Sequence, residues 1–116
     1  MAELESNRYI PDTAISPGVI LEDYLESYGM TQAELADRLG FAKKTVNEII
    51  KGKAPIMPDT ALKLERVFSR PAHFWNNLEQ QYQEDRARLA EMERMREYLD
   101  WLKRVPVFDH PAKRTA

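Results

Sequence analysis

The chain has 116 residues, with 17 basic and 19 acidic side chains for a net charge of −2, and is 43% hydrophobic and 31% charged; that is about one domain on a prior of ~100–200 residues each, with enough apolar material for a packed core rather than global disorder. The absence of cysteine excludes disulfides, thiolate catalysis and Cys-based zinc sites and fits a reducing compartment. The opening MAELESNRYIPD has no apolar core of a signal peptide, and no run approaches the ~20 apolar residues that cross a bilayer, so a cytoplasmic protein without a membrane partner is expected.

Residues 1–14 show no period and read as an N-terminal arm. In SPGVILEDYLESYG, Ser16 suits an N-cap and Pro17 the first helical position, where a missing N–H loses nothing. Leu21, Tyr24, Leu25 and Tyr28 recur at helical spacing and predict one apolar face, and Gly29 closes the helix. A second helix starts at Thr31. Thr31 and Glu34 form a capping box, each side chain serving the other's backbone amide. Leu35, Ala36 and Leu39 make its inner face, and Gly40 ends it.

A third helix is expected over about Lys43 to Lys51, ending at Gly52, with Val46, Ile49 and Ile50 turned inward. Met57-Pro58-Asp59 opens a fourth. Its inner face is Ala61, Leu64 and Phe68, flanked by Leu62 and Val67, and Ser69-Arg70-Pro71 breaks it. The fifth begins near Pro71 with Phe74, Trp75, Leu78 and Tyr82 as a buried stripe. Trp75 and Leu78 are alternatively candidates for a subunit interface, where tryptophan is enriched. From Glu84 to Arg104 charges dominate, with opposite pairs four apart at Glu84–Arg88, Arg96–Asp100 and Asp100–Arg104. Beneath them Leu89, Met92, Met95, Leu99 and Leu102 form a thin apolar seam, which either meets another subunit or folds back on the bundle. Asp85 and Arg96 interrupt a steady heptad. VPVFDHPAKRTA, with two prolines, reads as an irregular tail. The organisation expected is therefore arm 1–14, helical domain 15–82, helical extension 83–104 and tail 105–116.

Charge is unevenly spread. Between Arg38 and Lys53 five basic residues (Arg38, Lys43, Lys44, Lys51, Lys53) face one acid, Glu48. The stretch TQAELADRLGFAKKTVNEIIKGK also meets the spacing demands of a helix-turn-helix. Ala36 is the small residue where the helices touch, Gly40 is free to take positive φ at the turn, and Val46 and Ile49 anchor the second helix from below. The competing reading is a plain helical hairpin with a solvated basic face, which does not require this register.

TQAELADRLGFAKKTVNEIIKGK resembles the helix-turn-helix of the lambda-repressor-like (XRE) family. ISPGVILEDYL, GKAPIMPDTALKLERVF and PAHFWNNLEQQY are further similar to the HigA-type antitoxins, or plasmid-maintenance antidote proteins, over Ile15 to Tyr82. The resemblance implies an all-α, five-helix lambda-repressor-like DNA-binding bundle with an extended C-terminal helix. It implies a homodimer that binds double-stranded DNA at a palindromic operator, represses its own operon, and neutralises an mRNA-cleaving ribonuclease toxin encoded beside it. YLDWLKRVPV differs from the shorter antitoxins. It resembles instead the segment that links a helix-turn-helix to a zinc peptidase-like domain of the ImmA/IrrE type. A stand-alone regulator without a toxin, or the front part of such a longer protein, is the alternative.

In such a motif the second helix enters the major groove with its N-terminal residues leading. Matching positions gives Lys43, Lys44, Asn47 and Glu48 as base readers: lysine donates to guanine, asparagine pairs with adenine, glutamate accepts from cytosine. Gln32, opening the first helix, is placed to hold a phosphate. Thr45, Lys51 and Lys53 are assigned to the DNA backbone. Asn47 and Glu48 are alternatively solvated or tied to neighbouring lysines. A pure protein-interaction module is disfavoured by the lysines, which protein interfaces deplete. His73 and His110 are too far apart for H-E-x-x-H, and no nucleophile–base pair stands out, so no enzyme, metal or cofactor is expected.

Overall fold

A computed structural model describes residues 11–105 of the chain. The last residues of the expected tail, His110 among them, and most of the arm lie outside this span. Within it the chain forms five helices and no strand: α1 Pro17–Tyr28, α2 Gln32–Leu39, α3 Lys43–Ile50, α4 Pro58–Phe68 and α5 Ala72–Arg104. The expected all-α bundle with a long last helix is what the chain folds into.

Local chemistry places most of the boundaries. Gly29 and Gly40 close α1 and α2 at φ 64° and 74°. Each pairs with a following residue whose amide reaches back into the last turn: Met30 N–H to Leu25 O at 2.9 Å, and Phe41 N–H to Ala36 O at 2.9 Å. These are closures that glycine enters without Cβ strain. Helix α4 ends differently, with Ser69 itself left-handed at φ 57°. Ser16 occupies the N-cap of α1, but its hydroxyl makes no capping bond. The Val19 amide, which such a cap would serve, donates to the Ser16 carbonyl at 3.1 Å, and the hydroxyl lies instead beside Gly52. Helix α3 ends at Ile50, one residue short of expectation, with Lys51 at its C-cap.

The core is made of Leu21 and Leu25 from α1, Leu35, Ala36 and Leu39 from α2, Val46, Ile49 and Ile50 from α3, Ala61, Leu64 and Phe68 from α4, and Trp75 from α5. Ile56, in the loop before α4, joins it. Tyr28 departs from the expected inner face. It is 52% exposed, with its ring edge-on to Phe68 at 5.0 Å and its hydroxyl donating to the Phe68 carbonyl at 3.3 Å. Trp75 is not an interface residue. It is fully buried, with Tyr24 and Phe74 edge-on at 5.2 and 5.0 Å. Aromatic pairs of this geometry add about 0.5–1.5 kcal/mol beyond area burial, so Trp75 fixes the start of α5 to α1 and α4.

Side chains also close gaps between elements. Glu65 of α4 accepts from the Ala72 amide at 2.8 Å and so caps α5. Glu79 of α5 accepts from Ile56 N–H at 3.0 Å and holds the loop between α3 and α4. Beyond Asp85, which is buried and accepts from Gln81 Nε2 at 2.9 Å, only Leu89 is still half-buried before the helix runs free. The seam therefore does not fold back on the bundle. Of the expected charge pairs, Glu84–Arg88 (3.0 Å) and Asp100–Arg104 form, while Arg96 pairs with Glu93 rather than Asp100.

Gly18 marks the tightest approach. A Cβ there would stand 2.2 Å from Ile49 O and 2.4 Å from Ile50 O, whereas one at Gly40 would meet nothing within 4 Å. Gly18→Ala should therefore push two backbones apart, with a loss of about 1–3 kcal/mol for overpacking. Gly40→Ala should lose about 1–2 kcal/mol from left-handed strain alone, and Gly40→Asn less, since asparagine tolerates that region. Urea unfolding of the three variants checks this; equal loss in Gly40→Ala and Gly40→Asn would remove backbone strain as the cause.

Candidate nucleic-acid interface

Helix α2 is fixed at both ends. At its start Thr31 Oγ1 accepts from Glu34 N–H at 3.1 Å while Glu34 Oε1 accepts from Thr31 N–H at 2.8 Å. This is the expected capping box. The Thr31 amide, then the Thr31 hydroxyl, hold the Glu34 carboxyl below its ordinary range. At its end Lys63 of α4 donates to the Leu39 carbonyl at 3.1 Å, with its ammonium 4.5 Å from the centre of the Phe41 ring. The turn Gly40-Phe41-Ala42 then delivers α3.

Helix α3 presents two faces. At about 100° per residue, Lys43, Lys44, Asn47, Glu48 and Lys51 fall within an arc of roughly 140°. Val46, Ile49 and Ile50 occupy the opposite side and are buried. Lys43, Lys44 and Lys51 are exposed, and Asn47 and Glu48 half-buried. Thr45 stands at the edge of the face, also half-buried, and Lys53 lies exposed in the loop beyond Gly52. Glu48 contributes through its backbone too, its carbonyl accepting from the Lys53 and Ala54 amides at 2.8 and 3.2 Å.

The structure brings Gln32 and Asn47 together. Asn47 Nδ2 donates to Gln32 Oε1 at 3.1 Å, bridging the first residue of α2 to the middle of α3. Asn47 is thus tied to glutamine rather than to a lysine. The bond leaves Asn47 its oxygen and one N–H, the two groups a bidentate pair with adenine uses. It also leaves Gln32 its amide donors, beside the start of α2. Neither this bridge nor the Lys63 contact was readable in advance, because both depend on where two helices cross.

The start of α3 carries basic side chains and nothing to offset them. Ala42 at the N-cap offers no side-chain acceptor, and the first turn has no acid. Lys43 and Lys44 instead sit at the positive end of the helix dipole, which disfavours cations. All four ion pairs among the described residues lie on α5, so none engages Lys43, Lys44, Lys51 or Lys53. Orphan amides, aligned dipole and uncompensated ammonium groups converge on one surface, the condition for holding an anion such as a phosphate backbone.

A helix-turn-helix family model matches residues 21–75, which includes both helices of this surface. Virulence-associated protein I of Dichelobacter nodosus is 40% identical over 70 residues; the match covers 60% of this chain and 65% of that protein, just under two thirds of its length. The structure of Pseudomonas aeruginosa antitoxin HigA with the higBA promoter superposes with TM-score 0.66 at 34% identity, covering 71% of this chain and 90% of that one. An addiction module antidote protein of the HigA family from Coxiella burnetii gives TM-score 0.65 at 30% identity, covering 73% and 94%. The chain belongs to the helix-turn-helix family of DNA-binding transcription regulators, in the group of HigA-type antidote proteins.

The pH dependence of α2 follows from its cap. Glu34 is depressed in the folded chain, so its contribution is complete above the unfolded carboxylate value of ~4.3. It is lost as pH falls through the lower folded value. Melting of wild type and Glu34→Gln should differ at neutral pH, with wild type higher, and converge in acid. A gap that stays constant down to pH ~3 would mean the charge plays no part in the cap.

Proposed function

We propose that this protein is a dimeric, sequence-specific repressor of the antitoxin type, which binds a palindromic operator in its own promoter and neutralises a ribonuclease toxin encoded beside it. The observation that carries the DNA half is the α3 surface: lysines at an uncapped helix start, without ion pairs, on the face opposite the core. The similarity to an antitoxin solved with its promoter supports the same reading. In it α3 enters the major groove. Lys43, Lys44, Asn47 and Glu48 meet base edges, and Gln32, Thr45, Lys51 and Lys53 meet the phosphates. The protein is no enzyme and works in the cytoplasm. A second reading, a regulator without a toxin, is favoured by the extension beyond the residues shared with the shorter antidote proteins.

Footprinting of the upstream region should reveal a protected inverted repeat with half-sites centred about 34–36 Å apart; an unprotected promoter would sink the operator reading. Lys43→Ala and Lys44→Ala should each lose about 1–3 kcal/mol on the operator and relax preference at one position. Lys53→Ala should weaken all sequences alike and lower the salt slope by about one per half-site. Uniform loss in all three on operator and scrambled DNA would reverse the assignment of readers. For the toxin half, the product of the adjoining reading frame should arrest growth alone and not when co-expressed with this chain. Arrest unrelieved by co-expression favours the second reading.

A further inference from the structure

The far half of α5 has a surface that the bundle does not use. From Ala90 to Arg104 every residue is exposed. Met92, Met95, Leu99 and Leu102 retain 38–51% of their accessible surface. Contiguous apolar stripes of this kind on a soluble chain mark an interaction site. Their spacings are three, four and three residues, the a and d positions of two heptads. In that register Arg96 falls at e, so it flanks the seam rather than interrupting it. Asp85 and Arg88 fall at the preceding a and d positions and end the pattern there. Asp85 is buried against the bundle with Gln81, so the seam begins where intramolecular packing stops.

We propose that this segment pairs in parallel and in register with the same segment of a second copy, as a two-heptad coiled coil centred on Met92, Met95, Leu99 and Leu102. The proposal deepens the dimeric reading above by naming the contact. Charge complementarity selects the occupant and its direction. In a parallel pair the g position of one helix faces the next e position of the other, which sets Glu91 against Arg96 of the second copy. An antiparallel pair sets e against e, bringing Arg96 to Lys103, like against like. Glu91 and Arg96 are now held only by Arg94 and Glu93 on their own helix, with every side chain more than half exposed. Such pairs are weak and readily exchanged. Two heptads are short, since isolated helices below ~12–15 residues are marginal. Here the helix is already formed, as the continuation of a segment locked by Trp75, so pairing has little ordering entropy to overcome.

The chain has no cysteine, so single replacements report cleanly. Met92→Cys and Leu102→Cys, both at exposed positions, should each cross-link to a covalent dimer under mild oxidation at micromolar concentration. A mixture of the two should give no 92–102 heterodimer. Leu99→Asp should raise the dissociation constant of the full-length dimer in sedimentation at least tenfold while its far-UV circular dichroism stays that of wild type. Glu91→Arg and Arg96→Glu should each weaken association, and the double swap should restore it. A 92–102 cross-link, or no cross-link in samples that sediment as dimers, overturns the proposal and leaves the seam to a foreign helix. Operator binding by the reduced cysteine variants is measured alongside, so tails that stay apart on protein that still protects its operator refute the tail contact and not the repressor reading.

Discussion

The contact that positions α3 is made of backbone, not of side chains. Gly18, in the first turn of α1, lies so close to the last carbonyls of α3 that a single added methyl would stand 2.2 Å from Ile49 O. Glycine is what the approach admits, since it brings no side chain against those carbonyls. The rest of the surface follows from that seat. Once the end of α3 is set on α1, Val46, Ile49 and Ile50 have one way to enter the core. The polar arc from Lys43 to Lys51 then has one direction in which to face. Interiors packed at this density do not absorb an extra methylene by small adjustments, so orientation is decided here with little latitude.

The same helix shows stability given up for a surface. A start with a serine or aspartate cap and an acid in the first turn would be more stable. Helix α2, eight residues long like α3, has both, in Thr31 and Glu34. Helix α3 has Ala42 and two lysines. Its deficit is offset by neighbours: three buried apolar side chains below, the Asn47–Gln32 bond to α2, and a following loop whose Ile56 amide is held by Glu79. Within this helix pair the start rules are kept in α2 and broken in α3, where an anion would be met, a pattern expected of functional sites.

Much of this was legible in the sequence because the signals are local. Gly29 and Gly40 announce helix ends, Thr31 and Glu34 a start, and the spacing of Val46, Ile49 and Ile50 an inner face. The site residues were legible as a polar arc with local charge, without their tertiary bonds. What was missed depends on distance in the chain rather than along it. Ser16 looks like a capping serine but lies against Gly52. Gly18 looks like an incidental glycine in a helix, and its reason sits more than thirty residues on, at Ile49. Arg96 appears to spoil a heptad only while the seam is assumed to start inside the bundle. With Asp85 seen to be buried, the register shifts and Arg96 becomes a flanking charge.

Helix α5 ties these scales together. Its first turns belong to the core through Trp75. The indole N–H finds no hydrogen-bond partner there among the described residues, a desolvation cost of about 1–3 kcal/mol that the ring's apolar burial must outweigh. Its last turns belong to no core in this chain. A continuous helix of 33 residues, about 50 Å at 1.5 Å per residue, is a stiff connection between the two, with no glycine or proline between Ala72 and Arg104 to act as a hinge. Whatever holds the far half therefore constrains where the bundle sits. For two copies joined there, the separation of their α3 helices would be largely set before DNA is met. Half-site spacing would then be a property of the protein rather than of its encounter with the operator, and the entropy of bringing two recognition helices into register would be lost on pairing instead of on binding.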